Sequence, residues 1–208
     1  MEKLDFKKEF KRFYNPSAKE PEIVEVPEWQ FLMIDGKDAR PESKDFQEAI
    51  QALFSVSYKT KFAIKKSQNI DYGVMPLEGL WWSDDMDDFI NGNKANWQWT
   101  LMIMQPNFVT QDDINDAIQT ASKKEPTEAL NHLRLEKFKE GLSAQIMHIG
   151  PFSEEHDNIM KLHDLIKSQG GHFDRQAHIY KHHEIYLSDF RRTAPEKLKT
   201  VIRQPFRK

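Results

Sequence analysis

The 208-residue chain has no cysteine, which excludes disulfides, thiol nucleophiles and thiolate metal sites and gives no sign of an oxidising compartment. It also lacks a charge excess: 30 Lys and Arg against 33 Asp and Glu leave a formal net charge of −3. Nucleic acid and anionic membranes select for a basic excess or patch, so neither is the expected partner. No stretch approaches the roughly 20 apolar residues of a membrane span. The Lys- and Glu-rich opening has no apolar core of the kind a signal peptide needs, so the cytoplasm is the expected location. GxGxxG, GxxxxGK[ST] and GxSxG are all absent, leaving a nucleotide cofactor or a serine-elbow hydrolase without support; no cofactor is expected.

What is present fits an ordinary globular protein, with 38% apolar and 30% charged residues read as one unit over 1–208. Phe6, Phe10, Phe13 and Tyr14 recur at helical spacing and predict a helical arm over residues 1–16, ended by Pro16. Ile23 to Ile34 reads as a strand closing at Asp35-Gly36, and Ser43 as the N-cap of a long helix. Phe46, Ile50, Leu53, Phe54, Tyr58 and Phe62 step mostly by three and four and are expected on its packed face. Strands follow over Gly73 to Trp82 and Ala95 to Met104, joined by an acidic hairpin loop that holds Asp84, Asp85, Asp87, Asp88 and Gly92. Thr110-x-x-Asp113 predicts a capping box and a short helix through Ala121. A further helix with Leu130, Leu133 and Phe138 on its apolar side is expected after Pro126.

The opening order then returns: a strand over Ser143 to Ile149, a helix capped by Ser153 and ending at Gly170-Gly171, and strands over Glu184 to Ser188 and Leu198 to Phe206. The pattern is an α+β fold of tandem duplicated β-α-β-β modules, at approximately 20–106 and 140–208, around a central ligand pocket. Met102-Ile103-Met104-Gln105-Pro106 echoes Val201-Ile202-Arg203-Gln204-Pro205.

Candidate site residues cluster on the predicted strands. Glu78, Leu80 and Trp82 alternate with Leu77, Gly79 and Trp81, and Gly79 suggests a close approach by something large. Trp97 and Trp99 lie on the neighbouring strand, so four of five tryptophans sit on two strands; with Tyr72 they are candidate ligand-binding residues, although core packing uses the same residue types. Glu184 and Tyr186 share a face opposite Ile185 and Leu187. The apolar pair is expected against a helix, which turns the polar pair to the open side, with Glu184 matching Glu78 across the repeat. Carboxylates framed by rings suit a flat aromatic or cationic ligand, and burial is expected to raise the carboxyl pKa. His182 and His183 point to opposite faces, and His156 and His163 are two helical turns apart, so no metal site is expected.

Asp5-Phe6-Lys7-Lys8-Glu9, Phe31 to Gly36, Pro76-Leu77-Glu78-Gly79-Leu80-Trp81-Trp82, Trp99 to Pro106, Gln145 to Glu155, His182 to Asp189 and Ala194 to Thr200 together resemble a stand-alone branch of the GyrI-like small-molecule-binding proteins. The resemblance covers almost the whole chain and departs at Phe190, where proline is expected. It implies tandem β-α-β-β modules and a glutamate among aromatics that meets lipophilic cations, as in effector domains of multidrug-responsive regulators. It also implies, for some stand-alone members, hydrolysis of the cyclopropane ring of DNA-alkylating natural products. In this sequence the glutamate maps onto Glu184, with Tyr186 beside it. A sequestering binder, a hydrolase and an inhibitor of a larger enzyme such as gyrase therefore stay open. The last would favour an acidic face, and only Asp84 to Asp88 is locally acidic.

Overall fold

The computed structural model describes residues 2–85, 88, 91–172 and 181–208. β1 (Glu2–Leu4) pairs in parallel with β3 (Ile70–Tyr72) in a separate two-stranded sheet. The predicted arm is two single turns, α1 (Phe6–Glu9), capped by the Asp5 carboxylate, and α2 (Lys11–Tyr14). Phe10, Phe13 and Tyr14 pack their rings on Trp29 at 5.0–6.0 Å between centroids, which fastens the arm to the first long strand.

That strand, β2 (Glu22–Lys37), and its counterpart β6 (Arg134–Ile149) are both 16 residues long. They pair with each other along 22–33. With β4 (Leu77–Trp82), β5 (Gln98–Gln105), β7 (His182–Tyr186) and β8 (Lys199–Pro205) they close an antiparallel barrel in the order β2-β5-β4-β7-β8-β6. The two halves use the same pairings: β2 with β5 and β5 with β4, then β6 with β8 and β8 with β7. Closure leaves no unpaired edge in this sheet and requires the long strands to bend. Gly141, at φ +76°, supplies a bend in β6 that a side chain would resist. Glu140 and Gln145 lie on either side of it and both reach Arg203, although an offset of five positions would put them on opposite faces of a regular strand.

Helix α3 (Lys44–Gln68) starts after Ser43, whose hydroxyl makes no cap bond, and ends at Asn69 in the left-handed conformation. Its buried stripe is Ala49, Ile50, Leu53, Val56, Ser57, Thr60 and Ile64, not the predicted run to Phe62. Phe54, Tyr58 and Phe62 fall on a neighbouring stripe, stacked on one another, with Tyr58 and Phe62 in solvent. Helix α4 (Gln111–Ser122) carries the predicted capping box, both of its bonds formed between Thr110 and Asp113. Helix α5 (His156–Ser168) buries Leu162 and Ile166 against Ala144, Ile146, Ile202 and Phe206. The larger core lies under α3 and inside the barrel.

Three expectations need correcting. The helix expected after Pro126 is only a 3-10 turn, Glu128–His132, and Phe138 belongs to β6. The sequence from Arg134 alternates charged and apolar residues, and cross-strand pairing along β2 outweighs a weak helical spacing there. The strand expected over Gly73 to Trp82 begins only at Leu77; residues 73–76 are outside any strand, and Pro76 has no N–H to give a ladder. Ser153 lies in a 3-10 turn, Phe152–Glu154, ahead of α5, and does not cap it. Asp87 of the acidic loop lies outside the described residues. Among the described residues no helix is long and apolar enough to cross a membrane.

Candidate functional site

Strands β4 and β7 are the floor of two different polar groups, one on each face. In their register Gly79 lies opposite Glu184, and Glu78 opposite Ile185. Glu78 and Leu80 therefore point with His183 and Ile185 into the barrel, while Glu184, Tyr186 and Trp81 point outward. Glu78 and Glu184 do not share a pocket. Ile185 does not pack on a helix either; the barrel closes on itself, so the inward face is the apolar one for that residue.

The inner group is fully buried. Tyr14 Oη donates to Glu78 Oε1 at 2.7 Å, and His183 bridges Glu78 Oε2 at 3.0 Å to Glu140 Oε1 at 2.9 Å. Arg203 donates to Glu140 at 2.9 Å, to Gln145, and to the Phe13 carbonyl of the arm. Burial alone would depress the His183 pKa, but the charge of Glu140 and the bonds to Glu140 and Glu78 raise it to about 9. The same two cations, His183 and Arg203, overcome burial and hold Glu140 down at about 2. His183 and Glu140 are thus both charged, and every group of the set has a bond.

On the outer face Glu184 is held between its neighbours: Tyr186 Oη donates to Oε2 at 2.7 Å, and His182 Nε2 lies 3.3 Å from Oε1. Burial raises its pKa, yet the His182 hydrogen bond and charge and the Tyr186 bond outweigh it and leave the carboxyl below its ordinary value. The raised carboxyl expected from sequence is instead Glu155, at the start of α5. Burial, then the charge of Glu184, push it up to about 10 against the pull of Lys94. Among the described residues, donor atoms of Glu155, His182 and Glu184 lie within 4.8 Å of one another, close enough for a cation or a shared proton to offset two carboxylates.

Aromatic rings enclose this group. Phe152, Phe190 and Tyr186 make a mutually edge-on trio with centroids 5.8–6.3 Å apart. Trp81 lies 6.2 Å from Trp97 and 6.0 Å from Phe46, which itself contacts Trp99 at 5.5 Å. The large neighbour of Gly79 is Trp81 itself, whose indole would meet a Cβ there at 2.8 Å. Its buried Nε1–H faces the Tyr186 hydroxyl without closing a well-formed hydrogen bond. Phe152 is 36% exposed, so the trio reaches solvent.

The other residues singled out in the sequence fall elsewhere. Leu80 lines a cavity of about 260 Å³ inside the barrel with Met33, Thr100, Phe138 and Lys181. Trp82 lies under the Lys181 ammonium, 3.4 Å from its ring centroid. Tyr72 is buried between Phe6 and Phe108, its hydroxyl unpartnered and its pKa raised by burial. From the sequence His182 is weighed only as a metal ligand and Phe190 only as a departure from the family pattern, and Glu155 and Phe152 are not singled out as site residues. The i,i+2 spacing of His182 and Glu184 was a usable signal, since it puts both on one face of a strand; Glu155 had none.

A closed α+β sheet carrying a carboxylate among aromatic rings has the layout of a small-molecule-binding domain. The chain belongs to the GyrI-like family: the model of the GyrI-like small molecule binding domain matches residues 19–207. No curated protein matches it. Among solved structures it is similar to an uncharacterized conserved protein from Listeria innocua, 40% identical, covering 98% of this chain and 100% of that one at a TM-score of 0.87. A hydrolase from Listeria innocua is similar at 40% identity, the same coverage and a TM-score of 0.85. The C-terminal domain of EcmrR shares the fold, at 12% identity, 91% and 98% coverage and a TM-score of 0.54.

Proposed function

We propose that this protein binds a hydrophobic aromatic or cationic small molecule at the outer face of β4 and β7 and hydrolyses it, with a strained cyclopropane conjugated to a carbonyl as the substrate class. The observation that carries this reading is Glu184, an ionised carboxylate fixed by Tyr186 and His182 inside a ring of aromatics. A hydrolase 40% identical over the whole chain supports it. In the reaction Glu184 takes a proton from water as the water attacks the ring carbon. Charge developing on the conjugated carbonyl is met by donors such as the Trp81 N–H, which faces the Tyr186 hydroxyl. Strain already weakens the breaking bond, so orientation is the main task of the protein. We also propose that the two halves arose by duplication, for which the repeated pairing order is the support, and that the protein works in the cytoplasm.

The same carboxylate among ring faces would hold a lipophilic cation without chemistry, and this sequestering role is the second reading. One variant separates them. Glu184→Gln is expected to lower turnover of a cyclopropane substrate by about 10²–10⁴-fold with the fold intact. Under the binding reading the same change weakens cationic ligands by about 1–3 kcal/mol and leaves neutral ones untouched. A variant that changes neither quantity removes Glu184 from the site.

A further inference from the structure

Two carboxylates within 4.8 Å of each other cannot both stay ionised in a buried site without a compensating charge. Glu184 has two donors, Tyr186 and His182. Glu155 is 5% exposed, and its Oε1 is buried with no hydrogen-bond partner at all. A bare carboxylate oxygen left without a donor costs several kcal/mol; a protonated one costs far less and has an O–H to offer. The charged and titratable groups facing it are Glu184, His182 and Tyr186 on β7 and Lys94 from the loop before β5.

We propose that Glu155 is the proton donor of this site, the acid partner of Glu184, a role that rests on the hydrolytic reading above. The burial and like charge that raise the Glu155 carboxyl to about 10 agree with the geometry. In the step, a water O–H proton passes to Glu184 while the water oxygen bonds to the ring carbon. The ring C–C bond breaks, its electron pair runs through the conjugated system to the carbonyl oxygen, and that oxygen takes the proton of Glu155. One water has then been added, Glu184 is protonated and Glu155 ionised. A single proton transfer between these neighbours restores the starting state. The pairing follows the general rule that adjacent titratable groups whose environments push them apart supply acid and base.

The test uses the full chain and the parent spirocyclopropyl cyclohexadienone, which water opens to a hydroxyethyl phenol. Glu155→Gln should lower kcat by about 10²-fold or more while affinity for the phenol product stays unchanged. Wild-type kcat should fall on the alkaline side, and the variant should lack that limb. Infrared spectroscopy near neutral pH should show a protonated-carboxyl stretch in the wild type that Glu155→Gln removes. Should that variant not fold, Glu184→Gln serves, since loss of the neighbouring charge should move the midpoint of the same band to lower pH. Wild-type kcat retained in Glu155→Gln, or no protonated-carboxyl band, overturns the proposal. So does a stoichiometric divalent cation bound near neutral pH and lost in both Glu155→Gln and Glu184→Gln, because cation and proton compete for the same oxygens. A wild type inert toward the probe overturns the hydrolytic reading itself, an outcome distinct from a working enzyme indifferent to Glu155→Gln.

Discussion

The barrel carries a Glu–His–Tyr set on each face of the same two strands. Inside, Glu78 meets His183 and Tyr14; outside, one step along in register, Glu184 meets His182 and Tyr186. The residue types match, yet the surroundings differ. The inner set is completed by Glu140 and Arg203, is charge-balanced and leaves none of these side chains without a bond. The outer set also has a second carboxylate, Glu155, but its Oε1 is left without a hydrogen-bond partner. Buried polar groups are normally satisfied, and exceptions are where a ligand or a reaction is to be looked for. On the proposed reading the inner face serves stability and the outer face chemistry.

The largest expected effect separates the faces by activity. Glu184→Gln should cost about 10²–10⁴-fold in turnover of a cyclopropane substrate, whereas Glu78→Gln, in the fraction that folds, should leave kcat within a fewfold of wild type. Equal losses in both variants would dissolve the distinction. Stability should respond in the opposite sense. Glu140→Gln leaves Arg203 and His183 buried against a single remaining carboxylate, and removing one partner from such a network costs about 3–5 kcal/mol. Urea unfolding of Glu140→Gln beside Glu184→Gln checks this, and a cost below about 1 kcal/mol would show that the barrel does not depend on the network.

How much of this the sequence disclosed depended on the range of the interaction. Alternation is local, so the opposite orientations of Glu78 and Gly79, of His182 and His183, and of Glu184 and Ile185 were all readable. The capping box at Thr110 was readable for the same reason. Which face is inside was not, because barrel closure is decided by β2 pairing with both β5 and β6, more than 60 residues away. The expectation that Ile185 packs on a helix failed for that reason, and so did the pairing of Glu78 with Glu184. Glu155 was illegible because a turn after Pro151 delivers it to β7, and nothing in its local pattern marks a turn residue as buried. The aromatic stripe of α3 misled because Tyr58 and Phe62 continue the helical spacing of Phe54, which packs on the core edge, out into solvent.

A pH titration sharpens the stability side. His183 keeps its proton in the folded barrel up to about 9, while the unfolded chain releases it near 6.5. Between those values the folded state holds more protons, so stability falls as pH rises. The contribution, on the order of 3 kcal/mol, is complete below the unfolded value and lost as pH passes through the folded one. Urea midpoints should therefore drop between mildly acidic pH and pH above the folded value in the wild type, and much less in His183→Gln measured against its own baseline. An identical pH dependence in that variant would place the titrating group elsewhere.

The smallest effect compares the two tyrosines. Tyr14→Phe removes the hydroxyl that spans 64 residues of chain to Glu78, in a site closed to water. A hydrogen bond to a buried charged acceptor contributes about 1.5–3 kcal/mol, and no solvent can replace it there, so unfolding should record that loss while kcat hardly moves. Tyr186→Phe removes an equally short bond, 2.7 Å, to a carboxylate that keeps His182 and borders the open aromatic trio. Water can reach the vacated side, so the stability cost should stay under about 1 kcal/mol. The Glu184 carboxyl then loses a donor that favours its charged form, and its pKa should rise. The acidic limb of the pH–rate profile should move to higher pH with it. If Tyr186→Phe unfolds as readily as Tyr14→Phe and leaves that limb in place, the outer tyrosine is a structural residue like the inner one.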